Sequence, residues 1–239
     1  MRNLLISDGF EKNIKADTLE NGFDYLQFHE QRFNFLLSEL NRNFKEGKRV
    51  LDIGSLDGYL MVGAKLLGYD VCGTDLPQYV DNIKDLCSFY KFDNRPADLS
   101  TISIPFSDDY FDVLVFSETL EHLNFYPLPL FKEFSRVMKP GGVLIITTPN
   151  LTRLNNLIKI ILGRSINHEI FLPYTPGTHF REYSSFEVQY LLEKTDFKIV
   201  NSRNLNFSYP NLGYRVRFTD VLSLFLGRKR DLYFLAKKL

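Results

Sequence analysis

The sequence has no tryptophan, three methionines and only two cysteines among its 239 residues. Cys72 and Cys87 do not form a Cys-x-x-Cys pair, so neither a disulfide framework nor a zinc site is expected, and we predict no metal site. The formal net charge is zero, which excludes the basic excess of a nucleic-acid-binding protein. These absences favour a reducing compartment and a partner other than nucleic acid.

Long apolar runs are absent as well. No run approaches the roughly 20 residues of a membrane span. The run Leu4-Leu5-Ile6 is too short for the core of a signal peptide. We therefore predict a cytoplasmic protein with no integral membrane segment. With 44% hydrophobic and 24% charged residues, the chain is long enough for one domain with a sizeable core.

The most informative stretch runs from Arg49 to Gly58. It begins as a short apolar strand, which Gly54 ends, and a helical pattern follows from Tyr59 to Leu67. A strand, a glycine-bearing turn and a helix form the first unit of a doubly wound sheet, and the turn lies at the edge where such sheets bind ligands. This order predicts an α/β fold with its ligand at the turn.

The residues inside this turn indicate the kind of ligand. A dinucleotide site usually reads G-x-G-x-x-G, so that the backbone approaches a pyrophosphate. Here Leu56 and Asp57 stand between Gly54 and Gly58, and an acid would repel a pyrophosphate. Asp52, near the end of the strand, is placed to accept bonds from an ammonium. An adenosine-bearing sulfonium amino acid fits this pattern, and we predict S-adenosylmethionine (SAM) as the cofactor.

The chain resembles the class I SAM-dependent methyltransferases in several motifs. Their first motif reads roughly D-x-G-x-G-x-G, and here Leu56 replaces its middle glycine. Two further runs resemble the family: Ile104 to Leu123, with its Pro-Phe, Phe-Asp and Leu-Glu-His elements, and Val137 to Ile146. The resemblance implies a Rossmann-like, seven-stranded sheet, mostly parallel with an antiparallel last strand, and helical cap elements.

We expect a single methyltransferase domain over residues 1–239. Residues 1–45 form a helical cap, 48–150 the SAM-binding core, and 151–183 and 206–230 insertions on the substrate side. The cap contains a predicted helix from Tyr25 to Phe44, which either covers the sheet or brings Tyr25 or Arg32 to the carboxylate of the cofactor.

Asp75 ends the second predicted strand, 23 residues after Asp52. An acid at this distance is placed to bond both ribose hydroxyls, unless it only caps the turn that follows. The resemblance places Asp98 and Leu99 at the adenine, and Ser117 and Glu118 beside the cofactor. The predicted cofactor residues are therefore Asp52, Gly54, Ser55, Gly58, Asp75, Leu76, Asp98, Leu99, Ser117 and Glu118.

The histidines are the candidates for catalysis. His122 follows the apolar strand 113–116, and we predict it to be the general base, with an orienting or capping role as the alternative. His179 lies in the loop 163–183, where His179, Arg181 and Tyr183 alternate. An extended stretch would aim all three to one side. We predict His179 as a second catalytic residue, and Arg181, Tyr183 and Arg215 as substrate-binding residues.

Further helices and turns are predicted between and after these site residues. Helices are expected over Val80–Tyr90, Leu128–Met138 and Leu151–Leu162, and a tight turn over Lys139–Gly142. Ser184 and Glu187 form a capping box at the start of the next helix. The apolar face of the helix 151–162 makes it a lid, a dimer contact, a membrane-surface element or a core cover.

We predict a methyltransferase that acts on a hydroxyl of a sugar or nucleotide-sugar in cell-surface carbohydrate biosynthesis. The partners are a small-molecule substrate and a second copy of the chain in a homodimer. Three alternatives stand beside this prediction: a membrane-surface lipid or quinone methyltransferase, a non-catalytic binding module, and a nicotinamide enzyme. The last would need the missing glycines.

Overall fold

The computed structural model describes residues 25–166, 178–207 and 229–239, with only the backbone for 25–28. The chain forms two compact units, one of residues 1–98 and 207–214 and one of residues 99–206 and 215–239. Each unit is described by itself. The predicted single domain stays a prediction.

The first unit alternates strands and helices, as the sequence predicts. Its elements, in chain order, are α1 (Tyr25–Asn43), β1 (Arg49–Ile53), α2 (Tyr59–Leu66), β2 (Asp70–Asp75), α3 (Pro77–Asn82), α4 (Lys84–Tyr90) and β3 (Asp93–Pro96). The strands are parallel in the order β3-β2-β1. Parallel strands end at the same edge, so the turn after β1 lies beside the end of β2.

Helix α1 packs on α2 within this unit. Leu36, Leu37 and Leu40 are buried, and a Cβ added to Gly63 of α2 would come within 2.5 Å of Leu37 Cδ1. The glycine therefore permits the close approach of the two helices. The N-terminal helix that the sequence predicts is confirmed to within a residue at its end.

The second unit holds the remaining elements: β4 (Phe111–Ser117), α5 (Leu128–Val137), β5 (Met138–Pro149), α6 (Leu154–Ile161), α7 (Ser185–Glu193), β6 (Phe197–Leu205) and β7 (Asp231–Lys238). Strand β5 is parallel to β4, while β7 is antiparallel and lies between β5 and β6. All seven strands belong to one mixed sheet, which confirms the predicted fold class and the antiparallel last strand.

The core of the second unit consists of the apolar residues of β4 and β5 covered by α5. Val113 to Phe116 and Leu144 to Ile146 are buried, as central strands of a parallel sheet require. Phe131 and Phe134 of α5 contact the ring of Phe116, with centroids 6.3 and 4.9 Å away. This rigid centre positions the loop that follows β4.

Three predicted boundaries are wrong. The segment predicted as one helix over Val80–Tyr90 is two short helices, because Ile83 leaves the helical conformation at a ψ of 18°. The helix predicted over Leu151–Leu162 begins only at Leu154, because Asn150 turns the chain by accepting from the N–H of Thr152. Lys139–Gly142 lies within β5, as an irregularity in its pairing with β4.

The capping box of α7 is confirmed, since Ser184 Oγ accepts from the N–H of Glu187 and the Glu187 carboxylate accepts from the N–H of Ser184. Among the described residues, no helix is long and apolar enough to cross a membrane. Much of the predicted insertions lies outside the described residues, including His168, Arg215 and Arg217.

Candidate functional site

In the first unit, the turn between β1 and α2 is built from left-handed residues. Gly54 has a φ of 78°, Leu56 of 41° and Gly58 of 72°. The N–H of Gly54 donates to Thr74 O at 2.9 Å, which holds the start of the turn on β2. Leu56 therefore has a left-handed backbone conformation, which glycine adopts easily and in which leucine is strained. It stands at the position of the middle glycine in the motif D-x-G-x-G-x-G.

Asp75 closes the turn from the end of β2. Its Oδ2 accepts from the N–H of Leu56 and its Oδ1 from the N–H of Leu76, both at 2.7 Å. Each carboxylate oxygen has a second lone pair, so these bonds leave acceptor capacity for a ligand's hydroxyls. The structure thus places predicted residues Asp75 and Leu76 directly at the turn.

Three carboxyl groups surround this turn. The pKa of Asp52 is raised to about 7, mainly by burial and also by the charge of Asp75, while the charge of Arg32 on α1 lowers it. Burial and the charge of Asp75 also raise the pKa of Asp57. Three acids beside one turn disfavour a pyrophosphate and favour a cation, so the donor set fits SAM, with its ammonium and sulfonium charges.

Ser55 and Asn94 form a part-buried polar pair next to the turn. Ser55 Oγ donates to Asn94 Oδ1 at 3.1 Å, and Asn94 Nδ2 is buried without a hydrogen-bond partner in the structure. Asn94 was not predicted from the sequence, since a lone asparagine in a four-residue strand carries no signal. Asp98, at the end of this unit, is exposed.

In the second unit, polar residues cluster where β4 ends. Ser117 Oγ and Thr147 Oγ1 are 2.7 Å apart. Glu118 has a φ of 50°, and its N–H donates to Thr147 O at 2.8 Å. A strained non-glycine residue directly after a central strand is typical of functional sites. Leu99, at the start of this unit, is half-buried.

The next residues form a second cluster: Glu121, His122 and His179. The rings of His122 and His179 meet edge to face, with centroids 4.8 Å apart. Glu121 is fully buried, and its Oε2 accepts from Thr148 Oγ1 at 2.9 Å. Its Oε1 lies 4.0 Å from His122 Nε2. The two predicted catalytic histidines are therefore in direct contact, although 57 positions separate them.

A backbone carbonyl fixes the tautomer of His122. Nδ1 of His122 lies 2.9 Å from Thr178 O. Because a carbonyl oxygen only accepts, Nδ1 must carry the proton in this bond, and neutral Nε2 then has a free lone pair. This is the form of histidine that accepts a proton from a substrate.

The surroundings of His179 determine its charge state. The pKa of His179 is lowered to about 4, mainly by burial of part of its ring and also by the charges of His122, Arg153 and Arg230. The ring is therefore neutral at physiological pH. It can offer a hydrogen bond to a substrate, but no positive charge.

Among the alternating residues 179, 181 and 183, Arg181 and Tyr183 contact each other, and the expectation that all three face one side stays a prediction. The guanidinium of Arg181 pairs with Glu187 and lies over the Tyr183 ring, 5.1 Å from its centroid. Tyr183 is buried, and its carbonyl accepts from the N–H of Leu151 at 2.9 Å. These contacts engage both residues within the fold, and their substrate-binding role stays a prediction.

Ligand atoms of Glu121, His122 and His179 lie within 4.8 Å of one another. This spacing has the size of a divalent-cation site. Sequence reasoning missed Glu121 and Thr178. Glu121 stands in the quoted Leu-Glu-His element, which was a usable signal, whereas a carbonyl 56 positions away from His122 carries none.

A family described as "Methyltransferase domain" matches residues 28–202. The chain is 31% identical over 223 residues to a ubiquinone biosynthesis O-methyltransferase of Aliivibrio fischeri, covering 91% of this chain and 88% of that protein. It is 28% identical over 210 residues to the protein of the same name from Vibrio parahaemolyticus, covering 85% and 86%.

Solved structures show the same fold. A SAM-dependent methyltransferase from Aquifex aeolicus aligns with a TM-score of 0.61 at 17% identity, covering 94% of this chain and 99% of that one. One from Methanosarcina mazei aligns with a TM-score of 0.63 at 20% identity, covering 84% and 97%. At these identities the likeness concerns the fold alone.

Proposed function

This chain belongs to the methyltransferase domain family, and from that premise we propose that it methylates a hydroxyl oxygen of a small molecule, with His122 accepting the hydroxyl proton. The family match covers most of the chain, so the predicted enzyme class, a SAM-dependent methyltransferase, and its cofactor are confirmed. The nicotinamide alternative is thereby excluded.

The cofactor residues proposed here start from the turn in the first unit. Asp75 bonds the ribose, Asp52 faces the ammonium, and Arg32 pairs with the carboxylate. Gly54, Ser55, Gly58 and Leu76 supply the turn's backbone. Asp98, Leu99, Ser117 and Glu118 complete the proposed set. When bound, SAM supplies a methyl group on a positively charged sulfur.

The chemistry at the acceptor is a single displacement. The acceptor oxygen would gain an O–C bond to the methyl group that bound SAM would supply, in exchange for the S–C bond, whose electron pair would stay on sulfur. The hydroxyl proton passes to Nε2 of His122. The observation that carries this role is the bond between His122 Nδ1 and Thr178 O, because it leaves Nε2 as the acceptor. His179, neutral and beside it, holds the acceptor.

A phenolic hydroxyl of a quinone precursor is the acceptor we favour. The two relatives described above carry names of O-methyltransferases in ubiquinone biosynthesis. One surface feature of this chain supports an acceptor with an apolar tail: Ile161 and Leu162, at the end of α6, are 82% and 64% exposed, and Lys159 and Arg164 stand beside them. Such a face suits the surface of an anionic membrane.

The sequence-based expectation of a sugar hydroxyl finds no support among these relatives, and it stays as the alternative acceptor. A nucleotide-sugar would need cations for its phosphates. Of the arginines predicted for substrate, Arg215 lies outside the described residues and Arg181 is paired with Glu187. The homodimer and the cytoplasmic location remain proposals as well.

A competition assay tests the acceptor class. The protein is incubated with methyl-labelled SAM and either catechol-type phenols, with and without an isoprenoid tail, or a set of nucleotide-sugars, and the product is analysed by mass spectrometry. We expect label on a phenolic oxygen and faster transfer to the tailed phenol. Transfer to the sugars alone would move the acceptor to the carbohydrate class.

Flotation with anionic liposomes, compared between wild type and Ile161→Ser, tests the membrane surface separately.

A further inference from the structure

The segment 178–183 carries His179 and the carbonyl that contacts His122, and two sets of contacts hold it. One set joins it to the Glu121–His122 pair. The N–H of Phe180 donates to Glu121 O at 2.8 Å and that of Arg181 to the same oxygen at 3.3 Å. Together with the bond from His122 Nδ1 to Thr178 O, these contacts span only four residues of the segment.

The other set joins the segment to the start of α6 through Glu182. Glu182 Oε1 accepts from Arg153 Nη2 and Oε2 from Asn156 Nδ2, both at 2.6 Å. Asn156 Nδ2 also donates to Leu151 O at 3.0 Å. The Glu182 residue is 7% exposed, and Asn156 is 1% exposed. Charge-assisted bonds of this length inside the protein are among the strongest that side chains make.

Regular structure contributes little to the position of this segment. Among the described residues, the one strand-like contact of this segment is the isolated bridge between Tyr183 and Asn150. The backbone bonds of Phe180 and Arg181 to Glu121 O and the side-chain bonds of Glu182 therefore decide together where the carbonyl of Thr178 points. Glu182 makes two charge-assisted bonds and directly follows Arg181, so its position limits how far the contacts of Phe180 and Arg181 with Glu121 can shift.

We propose that Glu182 is a positioning residue for His122: its carboxylate holds the segment 178–183 on α6, so that Thr178 O receives Nδ1–H of His122 and Nε2 stays open for the acceptor's proton. This proposal rests on the proposed function, in which His122 is the base. Glu182 itself touches neither histidine in this arrangement. If the bonds of Glu182 were weakened, the carbonyl of Thr178 could move away from Nδ1 of His122. The His122 ring would then populate its other tautomer, in which Nε2 carries the proton.

The test replaces Glu182 by glutamine, which keeps the size and removes the charge. The tautomer of His122 is read from ¹⁵N NMR of the ring nitrogens at about pH 8, where an ordinary histidine is neutral. The signals are assigned by comparison with His122→Ala. We expect a mixture of tautomers in Glu182→Gln, a kcat lower by about 10–100-fold, and an unchanged dissociation constant for SAM.

Glu133→Gln is the matched control. It removes a carboxylate–arginine pair of the same 2.6 Å length, with Arg136 three positions later in the same helix, α5. This change should leave the His122 signals and kcat as in the wild type. If Glu182→Gln fails to fold, Arg153→Gln, which removes one of the two bonds to Glu182, should shift the tautomer in the same direction by a smaller amount.

Two results would overturn the proposal. One is a single Nδ1–H tautomer and a wild-type kcat in Glu182→Gln. The other is an equal shift of the His122 signals in Glu133→Gln, which would mean a general loss of order. The NMR readout needs no acceptor, so it separates the two hypotheses. A tautomer shift in a protein that methylates nothing would support the positioning role and refute the proposed function.

Discussion

The N–H of Leu56 donates to Oδ2 of Asp75 at 2.7 Å, from a residue that the backbone holds at a φ of 41°. Two features of this contact are unusual for a cofactor-binding turn. A leucine occupies a left-handed position, and a carboxylate proposed for the cofactor's ribose also stabilises the protein's own turn. The bond helps to hold Leu56 in a backbone conformation that glycine adopts at no steric cost.

We expect Asp75→Ala to weaken SAM binding by about 1.5–3 kcal/mol, because it removes charge-assisted hydrogen bonds to the ribose. The loss of the bond to Leu56 should add to this effect by loosening the turn. Isothermal titration with SAM measures the change. Asp70→Ala is the control, since Asp70 lies at the opposite end of β2 and pairs with Arg49 across 3.5 Å. An unchanged dissociation constant in folded Asp75→Ala would contradict the assignment.

Leu56→Gly should raise the free energy of unfolding by up to about 1 kcal/mol. Glycine relieves the strain at a positive φ, and the greater freedom of the unfolded chain offsets part of this gain. Chemical denaturation gives the value, and Lys65→Gly within α2 should instead lower it by about 1 kcal/mol. NAD should bind neither protein, because the acids around the turn remain. Measurable NAD affinity would argue against the electrostatic reasoning used for the cofactor.

Asp52 should make SAM binding depend on pH. Its pKa is about 7 in the protein without ligand, so at pH 6 the group carries a proton that the proposed contact with the SAM ammonium would displace. We expect the dissociation constant to fall by about fivefold from pH 6 to 7. Titrations in buffers of different ionisation enthalpy should show proton release, and Asp52→Asn should abolish it.

The same group affects stability without ligand. The unfolded chain loses the Asp52 proton near the model-peptide value of 3.8, whereas the folded protein keeps it until about 7. The free energy of unfolding should therefore fall as the pH rises between those values, and Asp52→Asn should remove this contribution. A wild-type and a mutant profile that run parallel would show that Asp52 titrates normally.

The sequence predicted most of the fold because its signals are local. The strand, turn and helix around Gly54, the apolar run 113–116 and the Ser184 capping box each depend on neighbouring residues, and the structure confirms them. The errors arise where tertiary context decides. The break at Ile83 and the late start of α6 at Leu154 depend on contacts of the side chains and not on helical periodicity.

The residues of the candidate site likewise fall into those with a local signal in the sequence and those without one. Asp75 was predicted from its distance to Asp52 along a regular unit. The contact between His122 and His179 was expected only in general terms, because both belong to predicted loops at one edge. Thr178 acts through its backbone, and Glu182 through side chains 26 and 29 positions away, so neither leaves a pattern in the sequence.

The two histidines should respond differently to substitution. His122→Ala should lower kcat by about 10²–10⁴-fold with little change in SAM affinity, because it removes the proton acceptor but no proposed cofactor contact. His179→Ala should mainly raise the Michaelis constant for the acceptor, since a neutral ring beside the base holds the substrate. Steady-state kinetics with a phenolic acceptor measures both.

The alternative roles of His122 predict other patterns in the same experiment. A large loss of kcat in His179→Ala, with His122→Ala active, would make His179 the base. Little effect from either change would indicate catalysis by proximity alone, with an acceptor that needs no deprotonation. A wild-type rate that EDTA abolishes and Mg²⁺ restores would assign the ligand atoms of Glu121, His122 and His179, which lie within 4.8 Å of one another, to a metal site. His122→Ala would lose activity whether His122 is a base or a metal ligand, so this variant does not separate the two roles. The treatment with EDTA does separate them, and we expect EDTA to leave the rate of the wild type unchanged.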